Sequence, residues 1–156
     1  MTHPVEEKLK ELYGLELPAP AAAAGVYSPA LISGKYLYIS GQMPSFNGEI
    51  MAHGSLGATV TIEEGQRAAR YCMLNILALA KHALGGFDRV EKFVQLIGYV
   101  QCTADFHDQV QVINGASQLL HDVFGEAGVP TRVAIGTNST PFDVPCEILA
   151  VIELKD

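Results

Sequence analysis

Two charged residues in the last quarter of the chain are of a type and in a setting that could do chemistry. Arg132 lies within the segment Val129 to Gly136, and Glu147 lies within the segment Pro145 to Leu154. Both segments are apolar and rich in β-branched residues, so each predicts a strand, and the turn-forming residues between them predict a loop. An arginine keeps its charge and presents a planar fork of donors that fits a carboxylate in two-point contact. We therefore expect a half-buried Arg132 to hold an anion.

The same two residues also have a simpler interpretation. Arg132 and Glu147, fifteen positions apart in the sequence, could form an ordinary ion pair or occupy two solvent-facing strand positions. Strands commonly place charges on a wet face, and structural ion pairs outnumber active sites. Residue type and spacing alone leave both interpretations open.

Three segments with helical periodicity predict the helices that would support these strands. Thr2-His3-Pro4 is a plausible start for a short amphipathic helix that Gly14 ends. A long helix follows the capping box Thr61-Ile62-Glu63-Glu64 and ends at Gly85-Gly86. A third and less regular helix is predicted from Phe106 to Phe124.

The remaining apolar segments predict strands. Val26 to Ser33 and Tyr36 to Ser40 flank Gly34-Lys35 and form a hairpin signal. Arg89 to Thr103 is apolar enough to predict a long central strand that is buried on both faces. The order of elements predicts an α+β fold in which a mixed β-sheet carries two helices packed on one face, with a short N-terminal helix in addition.

Composition limits the classes of partner that the chain can bind. At 156 residues the chain is the length of one domain, and it is 49% hydrophobic but only 17% charged, which predicts an oligomer that covers apolar surface. The net charge of −7 repels phosphate backbones, so nucleic acid is not expected as a partner.

The sequence also predicts the compartment and the state of the thiols. The N-terminus has no apolar signal-peptide core and no segment is long enough to span a membrane, so we expect a cytoplasmic protein without a membrane partner. The three cysteines lie in apolar settings without Cys-x-x-Cys spacing, and we expect buried free thiols: Cys72, Cys102 and Cys146. The five histidines show no metal-ligand spacing, so no metal is expected: His3, His53, His82, His107 and His121.

Four short motifs in this order resemble the reactive intermediate deaminase family, which is also called Rid or YjgF and carries the older label endoribonuclease L-PSP. They are Val26-Tyr27-Ser28-Pro29-Ala30, Ile39-Ser40-Gly41-Gln42-Met43-Pro44, Pro130-Thr131-Arg132, and Glu147 within the apolar last strand. The resemblance covers residues 25 to 154, so residues 1–24 are interpreted as an N-terminal helix and linker and residues 25–156 as the Rid/YjgF-like domain. It implies a chorismate-mutase-like fold and a homotrimer with a cleft at each subunit interface.

The resemblance also implies roles for individual residues. Arg132 would grip the carboxylate of a 2-imino or enamine acid, and Glu147 would position the water that attacks the imine carbon. Four further positions match family residues that lie near the substrate: Tyr27, Ser40, Gly41 and Asn114. Three positions depart from the family pattern. Val133 and Ala134 stand where the family has Ser and often Cys, and Leu149 stands where it has a second Glu.

The function that this resemblance implies is hydrolytic deamination of 2-imino acids to 2-oxo acids with release of ammonia. Such a reaction needs a fixed carboxylate, a held water and a proton source, and it requires no cofactor. The alternative is a protein on the same fold that binds a small carboxylate without turning it over. A ribonuclease is disfavoured, because the chain is acidic and offers no clear histidine pair for acid–base work.

Overall fold

The computed structural model describes residues 1–156, the whole chain, as three α-helices and seven β-strands. The helices are α1 (Pro4–Tyr13), α2 (Ile62–Leu84) and α3 (Gln109–Phe124). The strands are β1 (Ala30–Ser33), β2 (Tyr36–Gln42), β3 (Ser45–Phe46), β4 (Glu49–Ile50), β5 (Val90–Gln101), β6 (Thr131–Thr137) and β7 (Cys146–Leu154). Short 3₁₀ turns at Gly125–Gly128 and Pro141–Asp143 precede the last two strands.

Five strands form the main sheet in the order β1-β2-β7-β5-β6, and β3 and β4 form a separate two-stranded ribbon. The β5–β6 pair is parallel, whereas the β1–β2, β2–β7 and β5–β7 pairs are antiparallel. The two C-terminal strands are therefore not neighbours, because β5 lies between them. This arrangement makes β6, the strand of Arg132, an edge of the sheet.

The helices α2 and α3 pack on one face of this sheet, which confirms the predicted α+β architecture. Side chains of β7 alternate strictly between a buried face and a half-buried face along the whole strand, as expected for a sheet whose two faces differ. The buried set is Cys146, Ile148, Ala150, Ile152 and Leu154. These side chains belong to a continuous apolar core of 31 buried residues.

Local signals fix the ends of α2 where the sequence predicts them. The Thr61 hydroxyl accepts from the Glu64 amide at 3.1 Å, and the Glu64 carboxylate accepts from the Thr61 amide at 2.9 Å. This reciprocal pair satisfies two amides that the first helical turn leaves without partners. Gly85 ends the helix with φ of 73°, a left-handed conformation that favours glycine.

The prediction that β5 is buried on both faces is wrong. Leu96 and Val100 are buried, but Gln95 and Tyr99 on the opposite face are exposed. The apolar run predicts burial on both faces, yet the helices cover only one face of the sheet. Two boundaries also differ from prediction. The first strand begins at Ala30 instead of Val26, and α3 begins at Gln109 instead of Phe106.

The face of the sheet away from the helices, called the open face below, is apolar. Tyr38, Val133 and Ile135 expose 47%, 43% and 46% of their surface on this face. Half-buried aliphatic side chains lie between them in the strand register: Ile97, Leu149 and Val151. An exposed apolar surface that runs across four strands is typical of an interaction surface.

The N-terminal helix α1 is anchored to the two larger helices. Its Leu9 side chain is fully buried in the shared core. The Tyr13 hydroxyl donates to Asp122 of α3 at 2.5 Å, and Lys81 of α2 pairs with Glu6 at 2.7 Å. Burial and the Asp122 carboxylate raise the pKa of Tyr13, so this hydroxyl keeps its proton as the donor.

Gly115→Ala is expected to weaken the packing of α2 against α3. A Cβ at Gly115 would lie 2.3 Å from the backbone oxygen of Gln66 in α2, and a backbone atom cannot rotate away. We expect the free energy of unfolding to fall by about 2 kcal/mol or more, as for other overpacked core sites. Urea unfolding followed by circular dichroism measures this change.

The matched control for this substitution is Gly25→Ala, where the nearest atom to the new Cβ is a Tyr27 ring carbon at 3.7 Å. We expect its effect to stay within about 0.5 kcal/mol, as for surface substitutions without a special constraint. Equal stability of Gly115→Ala and the natural chain would show that the two helix backbones do not meet at Gly115.

Candidate functional site

Arg132 is held against α3 at the edge of the sheet. Its Nη1 donates to Asn114 Oδ1 at 2.8 Å and to Ser117 Oγ at 2.9 Å, and its Nη2 lies 3.5 Å from the Val110 carbonyl oxygen. Partial burial lowers the pKa of Arg132 from its ordinary value, because desolvation penalises the charged form. An arginine still remains protonated at neutral pH. The guanidinium is thus a fixed cation at the sheet edge.

The strand register and the helical repeat explain this placement. Arg132 is opposite Leu96 of β5, whose side chain is buried beneath the helices, so Arg132 projects toward the same side. Asn114 and Ser117 are three residues apart on α3, and residues at that spacing lie on one helix face. Both side chains therefore meet the same nitrogen.

Glu147 lies on the open face of the sheet. Its cross-strand partner on β5 is Tyr99. Its carboxylate rests on Gly41 of β2, where a Cβ would lie only 2.2 Å from Oε1. Burial raises the pKa of Glu147 from its ordinary value, because desolvation penalises the carboxylate form. A carboxyl group with a raised pKa is suited to accepting a proton from water.

An irregularity in β2 creates the space that Glu147 occupies. The β2–β7 register shifts between Ile39 and Gln42, and such bulges re-aim side chains near functional sites. Ser40 lies in this irregular segment, where its hydroxyl donates to the Ser28 carbonyl at 2.6 Å and its amide donates to the Pro29 carbonyl at 2.9 Å. Ser40 therefore ties the segment before β1 to the bulge beside Gly41.

Tyr27 precedes β1 instead of lying within a strand. Half of its surface is exposed, and its hydroxyl accepts from the Ala24 amide at 3.1 Å. The ring is therefore held in a surface turn, available to a molecule that approaches from outside the chain.

Four of the six predicted site residues fall into two groups. Arg132 and Asn114 are in contact on the helix side of the sheet, whereas Glu147 and Gly41 are in contact on the open face. Because β5 separates β6 from β7, two strand spacings, or roughly 10 Å, also separate them laterally. An ion pair between Arg132 and Glu147 within one chain is therefore excluded.

Sequence reasoning missed two features of the site. Ser117 contacts Arg132, and its only signal in the sequence is the three-residue spacing from Asn114 on a helix that faces the arginine strand. Tyr99 lies beside Glu147, and strand register alone reveals that pairing. Of the departures from the family pattern, Val133 and Leu149 are on the open face and Ala134 is on the helix side.

Two cavities of the chain lie away from Arg132 and Glu147. A cavity of about 1010 Å³ is lined by α1, the linker that follows it and the end of α2. Another cavity of about 300 Å³ lies beside His53, Arg67 and Tyr71. Neither includes Arg132 or Glu147. No group of three or more His, Cys, Asp or Glu side chains converges as a metal site would require. None of the three helices has the length and apolar character needed to span a bilayer.

Comparison with known proteins identifies a family match and close structural relatives. The sequence model of the family described as YjgF/chorismate mutase-like, "putative endoribonuclease", matches residues 7–154. The Trypanosoma cruzi protein TCP17 is 41% identical over 144 residues, which are 92% of this chain and 90% of TCP17.

Two crystal structures superpose over nearly the whole chain. A protein of unknown function from Agrobacterium tumefaciens, Atu1372, has 42% identity and a TM-score of 0.91, and the match covers 97% of this chain and 93% of Atu1372. An endoribonuclease-labelled protein from Shewanella oneidensis has 36% identity and a TM-score of 0.92, with 98% and 100% covered. A more distant structure, Escherichia coli TdcF with bound serine, has 25% identity and a TM-score of 0.62, with 86% and 92% covered.

Glu147→Gln is expected to stabilise the protein at neutral pH but not at acidic pH. Because the folded pKa of Glu147 is raised, the unfolded chain ionises first as the pH rises, and the natural protein loses stability until the folded carboxyl group also ionises. Glutamine does not titrate, so the stability difference between variant and natural protein should grow from about pH 4 to about pH 7. Urea unfolding at both pH values measures it.

Glu153→Gln is the matched control, because Glu153 lies on the same strand and face but pairs with Lys92 at 3.4 Å. Its substitution removes an ion pair, so the variant should gain no stability as the pH rises. A stability difference for Glu147→Gln that does not change with pH would contradict a desolvated carboxylate at this position.

Proposed function

Because the chain belongs to the YjgF/chorismate mutase-like family, we propose that it hydrolyses 2-imino acids to 2-oxo acids at clefts between its copies. The observation that carries this proposal is the arginine fixed against α3 by Asn114 and Ser117 with donors left for a ligand. A cation held in this way at a sheet edge fits a small carboxylate in two-point contact.

Glu147 supplies the second half of the proposed chemistry. Hydrolysis of the imine begins when a water oxygen bonds to the imine carbon, the C=N electron pair moves to nitrogen, and Glu147 accepts the water proton. Glu147 passes this proton to the nitrogen, which gives a carbinolamine. The hydroxyl proton of the carbinolamine then moves through Glu147 to the amino nitrogen, the C–N bond breaks, and ammonia leaves as the carbonyl forms. The raised pKa of Glu147 suits both steps, because a group that titrates closer to neutrality can accept and return a proton.

A homotrimer would bring the two halves together. Within one chain Arg132 and Glu147 lie on opposite faces of the sheet, so a site that uses both takes them from different copies. The open face offers a surface for such assembly, since it is apolar and carries Glu147 among exposed side chains. Assembly would also remove from water part of the apolar surface that the hydrophobic composition predicts.

The relatives support a small-molecule ligand. TdcF was crystallised with serine, a small molecule that carries both a carboxylate and an amino nitrogen, as a 2-imino acid carries a carboxylate and an imino nitrogen. The endoribonuclease label of other relatives finds less support in this chain, because a net charge of −7 opposes binding to an RNA backbone.

The second candidate function is binding of a small carboxylate without turnover. It rests on the same arginine, and it is favoured by the departures at Val133, Ala134 and Leu149 from the deaminase pattern. The two candidates differ in what Glu147 does, so substitutions at Arg132 and Glu147 separate them.

Arg132→Lys is expected to weaken ligand binding, whereas Glu147→Gln is expected to slow turnover. Lysine keeps the charge but loses the planar fork, so affinity for a stable 2-oxo acid should fall by on the order of 2 kcal/mol. Glutamine keeps the shape but cannot accept the water proton, so affinity should survive while imine hydrolysis slows about a hundredfold. Calorimetry with pyruvate and ammonia release from a freshly generated imine measure the two effects.

Arg67→Lys provides the control, because Arg67 is exposed, lies 6.0 Å above the Tyr71 ring and has no hydrogen bond to Arg132 or Glu147. Both measurements should be unchanged in this variant. Normal pyruvate affinity in Arg132→Lys would refute the carboxylate clamp, and normal turnover in Glu147→Gln would leave Glu147 with a structural role. Pyruvate binding by a natural protein that releases no ammonia from any imine would favour the binding candidate.

Mixing the Arg132→Lys and Glu147→Gln variants is expected to restore part of the imine hydrolysis that each variant loses at low substrate concentration. If each site takes Arg132 from one chain and Glu147 from the next, random assembly of equal amounts leaves about a quarter of the trimer sites with both residues intact. We therefore expect about a quarter of the natural rate after the variants are unfolded, mixed and refolded together. Light scattering should give three times the chain mass of 16.7 kDa for each preparation.

The control is each variant unfolded and refolded alone, which should stay at its own residual rate. A monomer at micromolar concentration would rule out the shared site. A trimer whose mixture shows no recovered activity would show that one chain supplies both residues to a site.

A further inference from the structure

Arg132 uses its hydrogen-bond donors unequally. A guanidinium group has five N–H donors in one plane. Nη1 directs both of its hydrogens into the chain, to Asn114 at 2.8 Å and to Ser117 at 2.9 Å. Nη2 has one contact at the limit of hydrogen bonding, 3.5 Å from the Val110 carbonyl oxygen. Nε has no acceptor within the chain, so the strong donors that remain are on the Nε and Nη2 side.

This pattern selects the edge of the guanidinium that meets a ligand. The N–H bond of Nε and one N–H bond of Nη2 point in parallel along the same edge of the group, and such an edge binds both oxygens of a carboxylate. The opposite nitrogen, Nη1, is already saturated. A carboxylate therefore has one two-point approach to Arg132, along the Nε–Nη2 edge.

We propose that Ser117 is a positioning residue that orients Arg132 so that this edge faces the substrate carboxylate. The inference rests on the proposed function and names a residue that neither the family resemblance nor the sequence motifs assign to the site. Ser117 acts through Arg132 and does not itself contact the ligand.

Ser117 adds what Asn114 alone does not provide. Asn114 is exposed and its contact alone would leave the guanidinium free to turn about that hydrogen bond. Ser117 is half-buried and holds the second hydrogen of the same nitrogen. An arginine side chain loses rotamer entropy when it is fixed, and fixing it before binding removes part of that cost from ligand affinity.

Ser117→Thr and Ser117→Val form the central test, because the two side chains have nearly the same shape and differ in the hydroxyl group. We expect the threonine variant to bind pyruvate like the natural protein and the valine variant to bind about fivefold to tenfold more weakly, as for the loss of one hydrogen bond to a charged group. The KM for the imine should rise by a similar factor in the valine variant while kcat changes little.

Ser117→Ala also removes the hydroxyl and tests the same contact if valine disturbs α3. Ser33→Ala is the control for hydroxyl removal at an exposed position on β1. The alanine variant should weaken pyruvate binding as valine does, and Ser33→Ala should have no effect. Equal pyruvate affinity in the threonine, valine and alanine variants would overturn the proposal.

A double-variant cycle separates this inference from the proposed function. If Ser117 acts through the arginine fork, Ser117→Val should have little further effect on pyruvate affinity in the Arg132→Lys background. A full additional loss there would show that Ser117 acts through the general structure of the helix, and would overturn the positioning role. Loss of binding in Arg132→Lys with natural affinity in Ser117→Val would retain the clamp and reject the inference, whereas natural affinity in Arg132→Lys would reject the proposed function itself.

Discussion

The structure depends on the fact that helices cover only one face of the sheet. Successive strand residues point to opposite faces, so one-sided cover assigns each side chain of β6 and β7 to either the core side or the open face. Arg132 falls on the helix side and Glu147 on the open face. An apolar open face and the separation of Arg132 from Glu147 are consequences of this one constraint.

The separation of Arg132 from Glu147 leaves both charges partly desolvated without a partner. Burial lowers the pKa of Arg132 and raises the pKa of Glu147, and in both cases desolvation is the cause. Each charged form is therefore less stable in the isolated chain than in water, and neither charge has a partner of opposite sign within the chain. A carboxylate bound to Arg132 would offset the cost on one side of the sheet, and a held water or a protonated amine would offset it at Glu147. Each charged form would therefore be stabilised by a polar or oppositely charged partner.

Local signals in the sequence were sufficient to predict most of the fold. The capping box Thr61–Glu64 and the glycine at position 85 mark the ends of α2 as predicted, because these interactions are made within a few residues. The burial of β5 was predicted wrongly, because a run of apolar residues cannot tell a strand between two layers from a strand beneath one layer and an exposed apolar face. The strand start at Ala30 was missed because Val26 and Tyr27, which are typical strand residues, precede it in a segment of bends.

The candidate site was less accessible to sequence reasoning, because its contacts join distant segments. Four motifs indicated the family, and the match to residues 7–154 confirms it. Motifs do not carry sheet register, so they could not reveal that Gly41 lies beneath Glu147 or that Tyr99 lies beside it. Ser117 belongs to no motif and is linked to Arg132 only through the packing of α3 on β6.

The departures from the family pattern can be interpreted through the two faces. Val133 follows Arg132 in sequence but points to the open face, so within one chain it cannot contact a ligand that binds the guanidinium on the helix side. Leu149 also points to the open face, two residues beyond Glu147, where it removes a second carboxylate and extends the apolar surface. Both changes therefore alter the surroundings of Glu147 and the surface available for assembly, while the held arginine is unchanged. The hydrogen-bonded arginine and the surroundings of Glu147 are accordingly separate features of the two faces, and substitutions on the open face can change the surroundings of Glu147 without disturbing the arginine.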